Sequence, residues 1–412
     1  MRRGPDPDGK LTLGSSPRNF GPVADGAAEL GIYVHFPYCL AKCPYCDFTS
    51  FATPREEIPH AGYADAVIAE LHRRAAGLAG RQTATVFFGG GTPSLWDPAE
   101  LGRVLAAILA RFPPVPDVEI TAECNPSSLD EARARALVAA GVNRLSVGVQ
   151  SLDRQRLSFL GRLHDPPGAL RAVEAALASG ARVSADLIFG VQGGAPQSAE
   201  AAADEAGRVV DLGLSHVSAY GLTIEPGTRF GDLHRKGRLP VAPDELIMSA
   251  FDAVGAALAA RGLRRYEVSN YAKPGAEARH NLRYWQGHEY LGLGCAAVGT
   301  LAAGIQATRY KNARDPRQYM RLALEGAATE AEVEALDPET RLRERIMLGL
   351  RLTAGFDIAQ AASDLGVDPL GPDRRRAIDK LVRRRALEVE GTRLRVAPEA
   401  RHLTDGIAAE LF

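Results

Sequence analysis

From Gly31 to about residue 275, short apolar runs alternate with longer stretches whose apolar residues recur at helical spacing. The runs Gly31–His35, Thr85–Phe88, Val118–Ala122, Arg144–Val149, Arg182–Ile188 and His216–Gly221 predict strands. Between them Ala64–Leu78, Pro98–Arg111, Asp130–Ala140, Gly168–Ala178 and Ser198–Leu212, rich in Ala, Leu and Arg, predict helices. Strict alternation of the two predicts a parallel sheet with right-handed crossovers. About six such units fall short of the roughly eight that close a TIM barrel. The pattern therefore predicts an α/β fold, a partial (β/α)6 TIM-like barrel open on one side. A doubly wound open sheet fits the same periodicity. Either architecture gathers functional residues at the C-terminal ends of its strands.

The pattern divides the chain into a Pro-, Gly-, Asp- and Ser-rich lead-in over residues 1–30, read as disordered, and a barrel over 31–275. A linking segment follows over 276–336, then a C-terminal, mostly helical domain over 337–412. Within the linking segment, HNLRYWQGHEYLGLGCAAVG reads as loop plus packing strand. The last domain predicts helices at Pro338–Leu350, Ile358–Leu365 and Pro372–Arg385, a hairpin LEVEGTRLRV turning at Gly391–Thr392, and a final helix to Phe412. Three helices and a hairpin resemble a winged-helix module. Its Arg374–Arg376 and Arg383–Arg385 runs lie on a mixed-charge surface and read as solvated helix faces.

Composition adds mainly exclusions. The chain has 412 residues, 46% hydrophobic and 24% charged, with a formal net charge of −1. That balance carries no electrostatic footprint for nucleic acid or an anionic membrane. No stretch approaches the ~20 uninterrupted apolar residues of a membrane span. The first residues, MRRGPDPDGKLTLGSSPRNFGP, lack the apolar core of a secretory signal. A cytoplasmic setting follows, in which thiols stay reduced and available to metals.

Three of the five cysteines, Cys39, Cys43 and Cys46, fall within eight residues as C-x-x-x-C-x-x-C directly after the first strand. Thiolates so close on one loop can converge on a metal site, yet three are one short of a closed zinc or iron–sulfur site. A zinc knot completed by His35 is the plain alternative. Other strand ends are also polar. The second runs into Phe87-Phe88-Gly89-Gly90-Gly91-Thr92, whose glycines suit close backbone approach to a ligand. The third ends at Glu123, the fourth at Gln150, Arg162 follows in LGRLH, and the fifth carries Asp186. A packed barrel core has no use for such residues unless something hydrogen-bonds them. Carboxylates and a guanidinium together suit a zwitterion that carries a ribose.

With these residues in place, the chain resembles the radical SAM superfamily, on the branch related to oxygen-independent coproporphyrinogen III oxidase. The likeness is carried by YVHFPYC, FFGGGTPS, AECNPSSL, NRLSVGVQS, LGRLH, DLIFG and the C-terminal module, almost the whole chain. It implies a radical SAM barrel with a [4Fe–4S] cluster on Cys39, Cys43 and Cys46, whose free iron binds S-adenosylmethionine. It also implies cleavage of the sulfonium to a 5′-deoxyadenosyl radical. By resemblance, Tyr33 and Tyr45 border the cluster and cofactor, and Gly90, Gly91 and Thr92 contact the methionine part. Glu123, Gln150, Arg162 and Asp186 would hold the rest, with Gly221 beside them.

One departure separates two members of the branch. The decarboxylating oxidase carries a further cysteine two residues after the third, and here Phe48 stands in that place. CPYCDF looks instead like the branch's heme chaperones, which bind heme and pass it to respiratory membrane proteins. His280-Asn281-Leu282-Arg283-Tyr284-Trp285 resembles their HN-x-x-YW motif, implying heme contacts at His280, Tyr284 and Trp285. An imidazole can reach heme iron while aromatic rings cover the porphyrin. A packed loop histidine is the alternative. His288 reads as a surface residue that could assist, His164 as a cap near Arg162, and Cys124 and Cys295 as buried small hydrophobes. Heme transfer to membrane proteins implies transient membrane association, and an exposed cluster iron could sit at a homodimer contact. The competing reading is the oxidase itself, turning coproporphyrinogen III into protoporphyrinogen IX.

Overall fold

In a computed structural model of the chain, residues 29–412 are described. The expected lead-in therefore lies outside the described residues, apart from Glu29 and Leu30, which begin the first strand. The main sheet has 12 strands. In chain order they are β1 (Glu29–Phe36), β2 (Gln82–Gly90), β3 (Pro114–Cys124), β4 (Arg144–Gln150), β5 (Arg182–Phe189) and β6 (His216–Gly221). The others are β7 (Arg264–Arg265), β8 (Asn270–Ala272), β9 (Tyr290–Leu293), β10 (Val298–Ala303), β11 (Gln306–Asn312) and β12 (Glu330–Leu336).

Strands β1 to β6 pair in parallel in sequence order. These are the six predicted strands, and they form the partial barrel. Strand β9 pairs in parallel with the other side of β1, and β10 to β12 continue antiparallel from it. At the opposite end β8 pairs antiparallel with β6, and β7 pairs antiparallel with β8. The two ends of the sheet do not pair, so the barrel stays open.

Local sequence explains the elements. Strand β1, ELGIYVHF, is buried along most of its length, as a parallel strand covered on both faces should be. In the helix Pro98–Arg111, Asp97 caps by accepting from the Ala99 N–H and Pro98 occupies the first turn. Its Leu101, Val104, Leu105 and Ile108, at i, i+3, i+4 and i+7, face the core. One hydrophobic cluster joins these helices to the sheet, and the last domain has its own, from Leu342 to Leu411.

Two expectations need correction. The segment 276–336 is no linker: it contributes β9 to β12 and the helices Arg279–Trp285 and Pro316–Leu324. HNLRYW, expected as loop, is the first of those helices. The C-terminal domain matches its expected outline, with helices Pro338–Gly349, Ile358–Ser363 and Pro372–Arg383 and a three-stranded sheet that includes the hairpin. Among the described residues no helix is long and apolar enough to cross a membrane.

Candidate functional site

A cavity of about 450 Å³ runs down the barrel axis from the cysteine loop. Its size lies within the roughly 300–1,000 Å³ of small-molecule sites. The strands line it through alternation, because residues i and i+2 share one face. Thr121 and Glu123 face it from β3, Arg144 and Ser146 from β4, Ser184 and Asp186 from β5, His216 and Ser218 from β6. Sequence reading found Glu123 and Asp186 and missed the other six. Their signal was present as polar residues two apart within otherwise apolar strands.

The loop carrying Cys39, Cys43 and Cys46 closes one end, with all three half-buried and lining the cavity. The Thr92 hydroxyl donates to Cys39 Sγ at 3.3 Å, and Arg162 Nη1 donates to Cys43 Sγ at 3.5 Å. Burial raises the thiol pKa values of Cys39 and Cys46, and the neighbouring cysteines add to the effect. His35 cannot complete a zinc knot, because its Nδ1 meets the Tyr33 hydroxyl at 2.9 Å and its Nε2 donates to the Thr49 carbonyl at 2.8 Å. Among the described residues no three His, Cys, Asp or Glu side chains are grouped to hold a single metal ion.

The glycines of FFGGGTPS serve the loop as well as the cavity. Gly90 has φ +108 and lies against the His35 ring, where a Cβ would collide. At Gly91 a Cβ would fall 2.7 Å from the Tyr38 carbonyl oxygen, while its N–H bonds Phe36 O at 2.7 Å. Thr92 N–H continues the zipper to Tyr38 O at 2.9 Å. The cysteine loop is therefore pinned to the end of β2 by backbone contacts, and the close approach at Gly91 is one that only glycine admits.

Glu123 accepts one hydrogen bond, from the Gly90 N–H at 3.0 Å. Burial, reinforced by the charge of Asp186, pushes its pKa up to about 7. Burial also raises Asp186, opposed by hydrogen bonds from Ser218 and Ser146 and by Arg144 and Arg162. Two buried acids facing one cavity favour a cationic ligand. Gln150 sits at the end of β4 with φ +65, a conformation costly for a residue with a Cβ. Arg162 Nη2 donates to Gly148 O at 3.1 Å, which holds the guanidinium between β4 and Cys43. Tyr45 and Gly221 complete the predicted lining. Cys124 is buried at the cavity wall and Cys295 buried elsewhere, and His164 Nε2 donates to Val149 O.

Four predicted residues are not brought into this cavity. Tyr33 stacks behind Phe87, whose ring takes the lining position. His280 is 2% exposed, with Nδ1 at 2.8 Å from Thr85 Oγ1, Nε2 at 3.0 Å from Tyr284 Oη, and its ring stacked on Phe87. Its backbone N–H is fixed by Glu119 at 2.9 Å. Burial lowers its pKa to about 3, so the ring is neutral, and both nitrogens are already engaged. In this arrangement the His280 ring offers no free lone pair for the expected heme contact. Tyr284 and Trp285 face a second cavity on the far side of their helix.

Residues 33–206 match the family described as the radical SAM superfamily, and residues 336–403 match the HemN C-terminal domain. The chain is 40% identical to the heme chaperone HemW of Escherichia coli over 295 residues, 71% of this chain and 75% of that protein. It is 34% identical to the heme chaperone HemW of Mycobacterium tuberculosis over 385 residues, 93% of this chain and 94% of that protein. The chain belongs to the radical SAM superfamily, on the HemW branch. Its fold is that of the radical SAM enzyme HemN, the coproporphyrinogen III oxidase of Escherichia coli. The two superpose with a TM-score of 0.77 at 20% identity, covering 94% of this chain and 90% of that one. The radical SAM match takes in the cysteine loop, the glycine run and the acids of β3 and β5, while Gly221 falls beyond it.

Proposed function

We propose that this protein is a heme chaperone, binding heme and passing it to respiratory membrane acceptors while carrying a [4Fe–4S] cluster and S-adenosylmethionine. The observation that carries the reading is Phe48. It is 58% exposed at the cavity mouth, where the oxidase-type pattern would need another cysteine. Likeness to proteins named heme chaperone over more than nine-tenths of the chain supports it. The likeness to HemN supports the alternative, coproporphyrinogen III oxidation, through fold alone.

The cavity suits the two cofactors chemically. Three thiols beside a hydroxyl donor and a guanidinium match the ligand set of a cluster with one open iron. A sulfonium with an ammonium group answers the charge of Glu123 and Asp186. When bound, the cluster would supply one electron to that sulfonium. Tyr45, Gly90, Gly91, Thr92, Gln150, Arg162 and Gly221 are assigned to hold the cofactor in the same space.

The test is anaerobic reconstitution followed by reductant, S-adenosylmethionine and either heme or coproporphyrinogen III. A heme Soret band with no porphyrinogen conversion is expected. Conversion to protoporphyrinogen with stoichiometric 5′-deoxyadenosine would overturn the chaperone reading.

A further inference from the structure

The helix Arg279–Trp285 has a cavity on each side. Ala278 and Asn281, with Phe87 stacked on His280, line the cofactor cavity. Tyr284, Trp285, Gly287 and His288 line a second cavity of about 420 Å³, bounded by β9 to β11 and the helix Pro338–Gly349. The motif is a wall between two chambers.

The second chamber has the chemistry of a metalloporphyrin site. Trp285, Ala302, Ala307, Leu336 and Leu348 give it an apolar lining. Arg309, Arg341 and Arg345 reach it from two sides; Arg309 is paired with Glu344, Arg345 with Asp364 at its far edge, and the lining carboxylate Glu289 with Arg81. Arg341 has no carboxylate partner among the described residues and is steadied by the Gly304 and Gln306 carbonyls at 2.9 and 3.0 Å. Its remaining N–H groups are free for an anionic ligand. His288 is exposed, lines the chamber, and among the described residues its imidazole makes no hydrogen bond, in contrast to that of His280. Trp285 Nε1 is buried without a partner among the described residues.

We propose that heme sits in this outer chamber, with His288 as the axial base and Arg341 and Arg345 facing the propionates. The inference rests on the heme-handling reading above. It makes His280 a positioning residue, which sets the Tyr284 ring through their 3.0 Å hydrogen bond.

Heme titration of the full, cluster-loaded chain, read in the Soret band and by electron paramagnetic resonance, tests it. Replacing His288→Ala is expected to change the axial-ligand signature and weaken binding at least about tenfold, and free imidazole should restore the signature. Arg341→Glu with Arg345→Glu should weaken heme binding and leave binding of the dimethyl ester, which lacks free carboxylates, unchanged. His280→Ala should reduce affinity yet keep the His288 signature. Wild-type heme binding whose spectrum and affinity ignore both His288→Ala and the arginine pair would overturn this placement and leave the chaperone reading intact. No heme uptake by the wild-type chain would overturn both.

Discussion

Glu70 and Glu123 are both interior carboxylates, and their surroundings differ sharply. Glu70 accepts from Arg74 Nε at 2.6 Å, Tyr319 Oη at 2.7 Å, Asn312 Nδ2 at 2.8 Å, Gly294 N at 2.9 Å and Thr329 Oγ1 at 3.1 Å. It thereby ties the helix His60–Ala75 to β11 and to the helix Pro316–Leu324. Glu123 has the single Gly90 N–H. Around its cavity Thr121 Oγ1, Arg144 Nη2, Arg162 Nε and His216 Nδ1 are buried without partners among the described residues. A carboxylate whose lone pairs are all used locks the fold. One left short, among other unmet groups, marks room for a ligand.

The contrast can be broken by exchanging the roles. Glu70→Gln should cost roughly 3 kcal/mol or more of stability, because a buried ion pair loses its charge and donors meet a donor. A denaturant series on the full chain would show it as a lowered midpoint. Glu123→Gln should leave that midpoint unmoved or raised and weaken S-adenosylmethionine binding about a hundredfold, roughly 2.7 kcal/mol. Calorimetry reads both, and a stability loss at Glu123 equal to that at Glu70 would erase the distinction.

Acidity sharpens it further. Burial and the charge of Asp186 push the Glu123 pKa up to about 7, so protonation of this carboxyl competes with a cationic ligand near neutrality. A cationic ligand needs the carboxylate, so affinity should fall about tenfold for each pH unit below 7 and level off above it. The Glu123→Gln variant should lose this dependence. The smallest effect is expected at Gln150, where Gly would relieve the φ of +65 and stabilise by about 1 kcal/mol. Weaker cofactor binding in that variant would fit the role assigned to the Gln150 side chain, and unchanged binding would remove it from the cofactor contacts.

The parallel half of the fold was legible because burial on both faces leaves continuous apolar runs. The antiparallel extension was not. Strand β12, EAEVEAL, is exposed at most positions and owes its form to pairing with β11. The helix Arg279–Trp285 starts at Ala278 with no side-chain cap, so HNLRYW carried no start signal. The cysteines and acids were readable as residue types out of place. Which way His280 faces was not, since its partners Thr85 and Phe87 lie almost two hundred residues away in sequence.

That short helix has a consequence for regulation. A ligand that stiffens or shifts it from one chamber alters the free energy of filling the other. Equilibrium linkage is symmetric: whatever factor S-adenosylmethionine applied to heme affinity, heme would apply to S-adenosylmethionine. The hydrogen bond between His280 and Tyr284, which spans the wall, is where that exchange would be cut.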